Sequence, residues 1–420
     1  CHTPLTRVRV VRHVQKLRGA GGGLPGIVPA PVRRCDSMDL KSFVDIRRLK
    51  EPDLVLFILI LVLAAVGIAM CYSASAVYAM KTFGDAFHFL KRQLIWFTIG
   101  FIFMFICTEV DYRNYIRYTK IMLLVSLVML VLVLLPGIGH SAKGSARWLG
   151  FGFVTFQPSE FVKICVVIFL AKVFSSEAED HFIRILIPVI IVSVFFLLVI
   201  LQPDFGTAMD ILLVSVFILF VSGFPLTYIV SLFIISIPMF YLMIYFVEYR
   251  KDRMVAFFNP WAYRYGIGYH IIQAFIAFRM GGFFGTGLGN GTQKISRLPE
   301  PHTDFIYAVI GEEAGLVGTV LIVLLFLAVL WRGIVIATGA QDNFGRLLAV
   351  GLSLMIVIQA FINISVVTGG LPTTGIPLPF ISYGGSSLLA NMMAAGILLN
   401  ISRHQGAAHQ EMKLFEEVLQ

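Results

Sequence analysis

The sequence predicts an all-α, polytopic integral membrane protein of about ten transmembrane helices. Both termini are placed in the cytoplasm, and a large outer loop separates helices 7 and 8. Three observations predict this. Hydrophobic residues make up 58% of the chain and charged residues 14%, with a mean hydropathy of +0.86, whereas soluble domains carry about 25% charged residues. Apolar segments recur at 53–72, 93–109, 120–136, 158–174, 184–201, 207–223, 226–247, 305–331, 346–367 and 386–402, close to the ~20 residues that cross the hydrocarbon layer. Lys and Arg are shared unequally between the short loops, which orients a membrane protein. With the N-terminus inside, the inner side holds Lys41, Arg47, Arg48, Lys50, Arg113, Arg117, Lys120, Lys172, Arg184, Arg332, Arg346, Arg403 and Lys413. The short outer loops hold only Lys81, Lys91, Arg92, Lys143 and Arg147.

Residues 1–37 stand apart. They are Arg-, Gly- and Pro-rich, begin with Cys and lack the apolar core of a signal peptide. They are expected to be a disordered or non-native extension upstream of Met38, followed by the transmembrane domain 38–403 and a cytoplasmic tail 404–420. The net charge of +9 belongs to loops and tails, so no nucleic-acid partner is expected. The cysteines form no Cys-x-x-Cys pair, which argues against a disulfide scaffold or a zinc site.

The orientation sorts the loops. Those on the inner side are short and ordinary. The outer side receives 143–160, 202–210, 248–304 and 369–387, which hold the chain's unusual polar sequences. Nucleotide-activated donors are absent from that compartment, so a substrate there carries its own activation. Loop 248–304 is too long for a plain connector. Within it, HIIQAFIAFRMGGFF (270–284) reads as an interfacial helix at the outer leaflet, suited to a lipid-tailed substrate. GTGLGNG (285–291) lacks the βαβ context of a dinucleotide site. Ser382 in SYGG has no nucleophile motif around it. Gln157-Pro158-Ser159-Glu160 and Gln202-Pro203-Asp204 each open a helix with Pro in its first turn.

Chemistry concentrates just before helix 8. Lys294, Arg297, Glu300, His302 and Asp304 fall within eleven residues. Asp304 is the candidate general base, a carboxylate for a partly desolvated pocket; helix capping is an equally good account of it. Lys143, Arg147 and Trp148 share one outer loop, where Arg supplies a bidentate fork for phosphate. Trp148 fits a sugar-stacking role, though the interfacial aromatic belt accounts for it better. Lys294 and Arg297 form a second basic pair, with anionic headgroups as the competing partner. Glu160 and Lys163 lie on one face of helix 4 as a buried ion pair near the substrate cavity, or as a structural one. Glu300, His302 and Ser382 complete the substrate-facing candidates. Carboxylates at Asp204, Asp210, Glu312 and Glu313 could hold a divalent cation such as Mg or Mn, but no ligand spacing specifies one.

LPEPHTDFIYAVIGEEAG (298–315), GLGNGTQK (287–294), KGSARWLGFG with FQPSE (143–160), QPDFGT (202–207) and PLPFISYGGSS (377–387) together resemble the SEDS family of shape, elongation, division and sporulation proteins. The resemblance covers 50–403 and is closer to the FtsW/SpoVE branch than to RodA. Gly370 departs from the aliphatic residue expected before Leu371-Pro372. The resemblance implies a peptidoglycan glycosyltransferase acting on lipid II, with Asp304 as the catalytic carboxylate and Lys143, Arg147 and Arg297 holding the departing diphosphate. It also implies a class B penicillin-binding protein and other divisome membrane proteins as partners, in the bacterial cytoplasmic membrane. A lipid II flippase and a non-catalytic division scaffold are the alternatives.

Overall fold

The computed structural model describes residues 51–405 apart from 137–138, 143–144, 152–153, 177–180 and 297. The extension 1–37 and most of the tail 404–420 therefore lie outside the described residues, as do the candidates Lys143 and Arg297. Each of the ten apolar segments falls on one helix: α1 (Leu54–Phe83), α2 (His88–Glu109), α3 (Asn114–Leu134), α4 (Pro158–Ser175), α5 (His181–Leu201), α6 (Phe205–Val221), α7 (Leu226–Tyr245) and, after the long loop, α11 (Ile306–Thr338), α12 (Asn343–Val367) and α13 (Gly385–Arg403). The long loop itself contains α8 (Glu248–Phe258), a 3-10 turn at Pro260–Tyr263, α9 (Tyr269–Gly281) and the short α10 (Gln293–Ser296).

Among the described residues, α1, α2, α3, α11, α12 and α13 are long and apolar enough to cross a membrane unaided. Helix α4 carries three charges, Glu160, Lys163 and Lys172, and α6 is 17 residues long. Helix α13 is the most enclosed, with 83% of its apolar window buried against 22% for α2. Small residues let the two approach: Gly396 abuts the Met104 carbonyl and Gly100 abuts Met392. Outward-facing Ile95, Phe105, Leu124, Phe233 and Ile235 make an apolar exterior, as a multi-pass membrane protein requires.

The fold departs from an all-helical one between α3 and α4. There β1 (Gly139–Ala142), β2 (Ser145–Phe151) and β3 (Val154–Phe156) form a three-stranded antiparallel sheet in sequence order, with Leu149 opposite Phe156. The aromatic and β-branched run of RWLGFGFVTF, punctuated by Gly, favours pleated backbone over helix.

Contacts sort the helix ends into two groups. At one end Arg332 pairs with Asp53, the Tyr112 hydroxyl donates to Asp342 at 2.7 Å, and Arg403 pairs with Glu109 at 2.6 Å. At the other end the backbone amide of Gln157 donates to Ser386 at 3.0 Å, and that of Tyr383 to the His302 carbonyl at 2.8 Å. The four unusual loops contribute to this second end.

Helix α11 breaks at Gly315 (φ 64°, ψ −160°). The glycine-rich loop fills the break. Leu316 N–H donates to the Gly282 carbonyl at 2.9 Å, and Thr286 N–H to the Glu312 carbonyl at 2.9 Å. Backbone groups freed inside a membrane protein must find such partners. A Cβ at Gly315 would sit 2.4 Å from the Gly285 nitrogen. Gly315→Ala is therefore expected to cost about 2–4 kcal/mol from the left-handed φ and the overlap, read as a lower melting temperature in detergent. Helix α9 packs one face on α11: the Phe278 ring fills the space over Gly311 and meets Tyr307 edge-on at 5.9 Å.

Candidate functional site

The segment Pro299–Asp304 is a tight turn. Glu300 takes a positive φ of 52°, and the Thr303 hydroxyl donates to the Glu300 carboxylate at 3.2 Å. Asp304 follows, half-buried. The N-cap position of α11 is Phe305, whose side chain makes no cap hydrogen bond. Asp304 is held instead through its backbone: its carbonyl accepts from Asn363 Nδ2 on α12 at 2.9 Å. Its Oδ2 faces Gly375, where an added Cβ would come within 3.4 Å.

Loop 369–384 closes over the turn. The Ser382 hydroxyl donates to the Thr303 carbonyl at 2.6 Å and accepts from Leu378 N–H at 2.8 Å, so it staples two loops together. His302 is buried among aromatic rings, 4.4 Å from Phe89, 5.9 Å from Tyr78 and 5.7 Å from Tyr383. Ser382 and His302 thus shape the turn that carries Asp304.

Arg253 is the cation at Asp304 that sequence reasoning passed over. It comes from α8, donates to the Thr373 carbonyl and interacts electrostatically with both Asp304 and Arg147. Burial, and then Arg147, push its guanidinium down to about 10, opposed by Asp304. Arg250 and Arg253 line an open cleft of about 450 Å³ with Phe205, Met254 and Thr373. The mixed charges of EYRKDR (248–253) read as a solvated surface. The usable signal was that this helix lies in a loop too long to be a connector.

Arg147 projects from β2 into the start of α6. Its Nε donates to the Gln202 carbonyl at 3.1 Å, a terminal nitrogen donates to the Pro203 carbonyl, and Asp204 lies 3.9 Å away. The two Gln-Pro openings meet here: Asp204 accepts from Gln157 Nε2 at 2.8 Å and from the Ser159 hydroxyl at 3.2 Å. Trp148 is half-buried on the same strand.

Glu160 and Lys163 do form a buried pair, at 3.0 Å, with Asp210 as a third member at 3.2 Å. Lys163 Nζ also donates to Gln359 Oε1 at 2.6 Å. Lys294 is turned into the protein, where it pairs with Glu313 and donates to Ser73 at 2.8 Å. Glu312 accepts from Thr292 N–H at 2.6 Å and from Gln293 N–H at 3.1 Å. These carboxylates are engaged by ammonium groups, hydroxyls and amides. Among the described residues no cluster of three or more His, Cys, Asp and Glu is arranged to hold a metal ion.

The site therefore joins a half-buried carboxylate, a partly buried arginine and a cleft at the loop-bearing end of an apolar bundle. Residues 53–407 match the family of cell cycle proteins comprising FtsW, RodA and SpoVE. The chain is 46% identical over 357 residues to stage V sporulation protein E of Bacillus subtilis, covering 84% of this chain and 98% of that one. It is 42% identical over 368 residues to a probable peptidoglycan glycosyltransferase FtsW of Geobacter sulfurreducens, covering 87% and 99%. Its fold matches a chain from a structure titled as the coordination of polymerization and crosslinking by a peptidoglycan synthase complex, with TM-score 0.71, 26% identity and coverage of 85% and 99%. It also matches the rod shape determining protein RodA of Thermus thermophilus, with TM-score 0.64, 25% identity and coverage of 84% and 97%. The chain belongs to the FtsW/RodA/SpoVE family of cell cycle proteins.

Proposed function

We propose that this chain is a peptidoglycan glycosyltransferase that polymerises lipid II at the outer leaflet of the bacterial cytoplasmic membrane during cell division. It crosses the membrane ten times with both termini inside, so the Asp304 end faces out. The observation that carries this reading is Asp304 itself: a half-buried carboxylate beside Arg253, on the end of the bundle where every unusual loop converges.

Asp304 takes the proton of the acceptor GlcNAc 4-hydroxyl. That oxygen attacks the anomeric carbon of the second sugar from the face opposite the diphosphate. The C1–O bond to the diphosphate breaks, undecaprenyl diphosphate leaves with the electron pair, and the α-linkage becomes β. Cations stabilise the departing charge. Arg253 and Arg147 are the described candidates, with Lys143 and Arg297 proposed from sequence. Held by the Thr373 carbonyl and partly buried, Arg253 is preorganised for this task. A class B penicillin-binding protein cross-links the product, and other divisome membrane proteins and the surrounding lipid complete the setting.

The test is the product's linkage. Lipid II incubated with this chain and a class B partner should give strands that a β-1,4 muramidase digests, with one undecaprenyl diphosphate released per disaccharide added. Strands resistant to that enzyme, or none at all, would overturn the reading. Arg253→Met is expected to lower kcat/KM for lipid II by about 100-fold through lost charge stabilisation, checked by strand formation against substrate concentration. The buried charges Lys163, Glu160 and Asp210 pair with one another. That supports an enzyme over a flippase with a continuous polar path.

A further inference from the structure

Helix α12 carries two buried amides one turn apart, Gln359 and Asn363, fully or nearly fully enclosed. Spacing of four puts them on one face. They bind successive carbonyls of the segment before SYGG. Gln359 Nε2 donates to Pro377 O at 2.9 Å, and Asn363 Nδ2 donates to Ile376 O at 2.7 Å. The same Asn363 nitrogen donates to Asp304 O at 2.9 Å. An amide nitrogen between two carbonyl oxygens fixes which way round the group sits.

We infer that Asn363 is a positioning residue: it ties the backbone of Asp304 to the loop that bears Gly375, and so sets where the carboxylate stands. This rests on the glycosyltransferase reading above. Gly375 is the neighbour that Oδ2 faces, so the Ile376 bond and the Asp304 bond fix both sides of one gap. Gln359 extends the support. Its Oε1 accepts from Lys163, which Glu160 and Asp210 hold in turn. The Glu160–Lys163 pair is thereby assigned to the scaffold that supports the loop through Gln359.

The experiment uses the full chain with a class B partner whose transpeptidase is inactive. Asn363→Leu keeps the branched shape of the side chain and removes the donor. Displacing a reacting group by about 1 Å costs on the order of 100-fold, so kcat for strand formation should fall by roughly 30- to 100-fold. KM and the stoichiometry of lipid II binding should stay within about twofold of native, because the Asn363 bond runs to the Asp304 backbone carbonyl. Asn363→His, which keeps a ring N–H donor, should retain more of kcat than Asn363→Leu. Asn400→Leu is the control for burial. It is a similarly enclosed amide at the opposite end, bonded to Thr108 O at 2.8 Å and to Tyr112 N–H at 2.9 Å, and should leave kcat per folded molecule unchanged.

An unchanged kcat in Asn363→Leu overturns the inference, as does a rise in KM with kcat preserved. If neither Asn363 variant binds lipid II at the native stoichiometry, the residue is structural and the inference also fails. Absence of strands from the native chain counts against the glycosyltransferase reading instead.

Discussion

Asp304→Asn is expected to lower strand formation by about 100- to 10,000-fold, the range for removing a positioned general base. The amide is isosteric and cannot accept the acceptor's proton at neutral pH. The fold should survive, because the Asp304 carbonyl keeps its bond from Asn363 on α12. The turn keeps its Ser382 and Thr303 bonds as well. Asp304→Glu adds one methylene toward Gly375, so it should retain the chemistry but misplace it, giving an intermediate rate. Rates of both variants, measured at equal amounts of folded protein, check this. Near-native activity in Asp304→Asn would remove the base from the mechanism and direct attention to Glu300.

Lys163→Met has the second large expected effect, on stability. Lys163 is 2% exposed, Glu160 2% and Asp210 0%. Two carboxylates share one ammonium there, and Gln359 takes another of its protons. Removing the cation strands both anions in the bundle interior, which costs roughly 3–5 kcal/mol. Melting of the purified protein in detergent should show the loss, together with a low folded yield. Adding Asp210→Asn to Lys163→Met should recover part of it, since one buried charge is then relieved. A double variant no better than the single would mean that the charges are solvated in place.

Much of the fold was legible because lipid imposes long apolar runs, and each of the ten runs became a helix. Boundaries were less so. Helix α1 continues from residue 72 to Phe83 through YSASAVYAMKTF, which is polar enough to read as a loop. The small sheet at 139–156 was missed because an apolar, Gly-punctuated stretch beside a membrane helix carries no separate hydropathy signal. Asp304 was visible through its neighbours in sequence. Its real neighbours, Asn363 and Arg253, are distant along the chain, and no spacing rule connects them. Gln359 and Asn363 did leave a trace, as polar residues four apart in an apolar span. Lys294 shows the converse limit. As one of a basic pair with Arg297 it reads as a ligand for phosphate or headgroups, yet its partner Glu313 lies nineteen residues on, behind a glycine loop.

The central claim is that this chain itself makes glycan strands, using Asp304. The most direct measurement mixes lipid II and a class B partner with an inactive transpeptidase with either the native chain or Asp304→Asn, then separates the products on a gel. A ladder of strands from the native chain and none from the variant is the predicted result. Equal ladders from both, or lipid II carried across vesicles by a native chain that makes no strands, would contradict it.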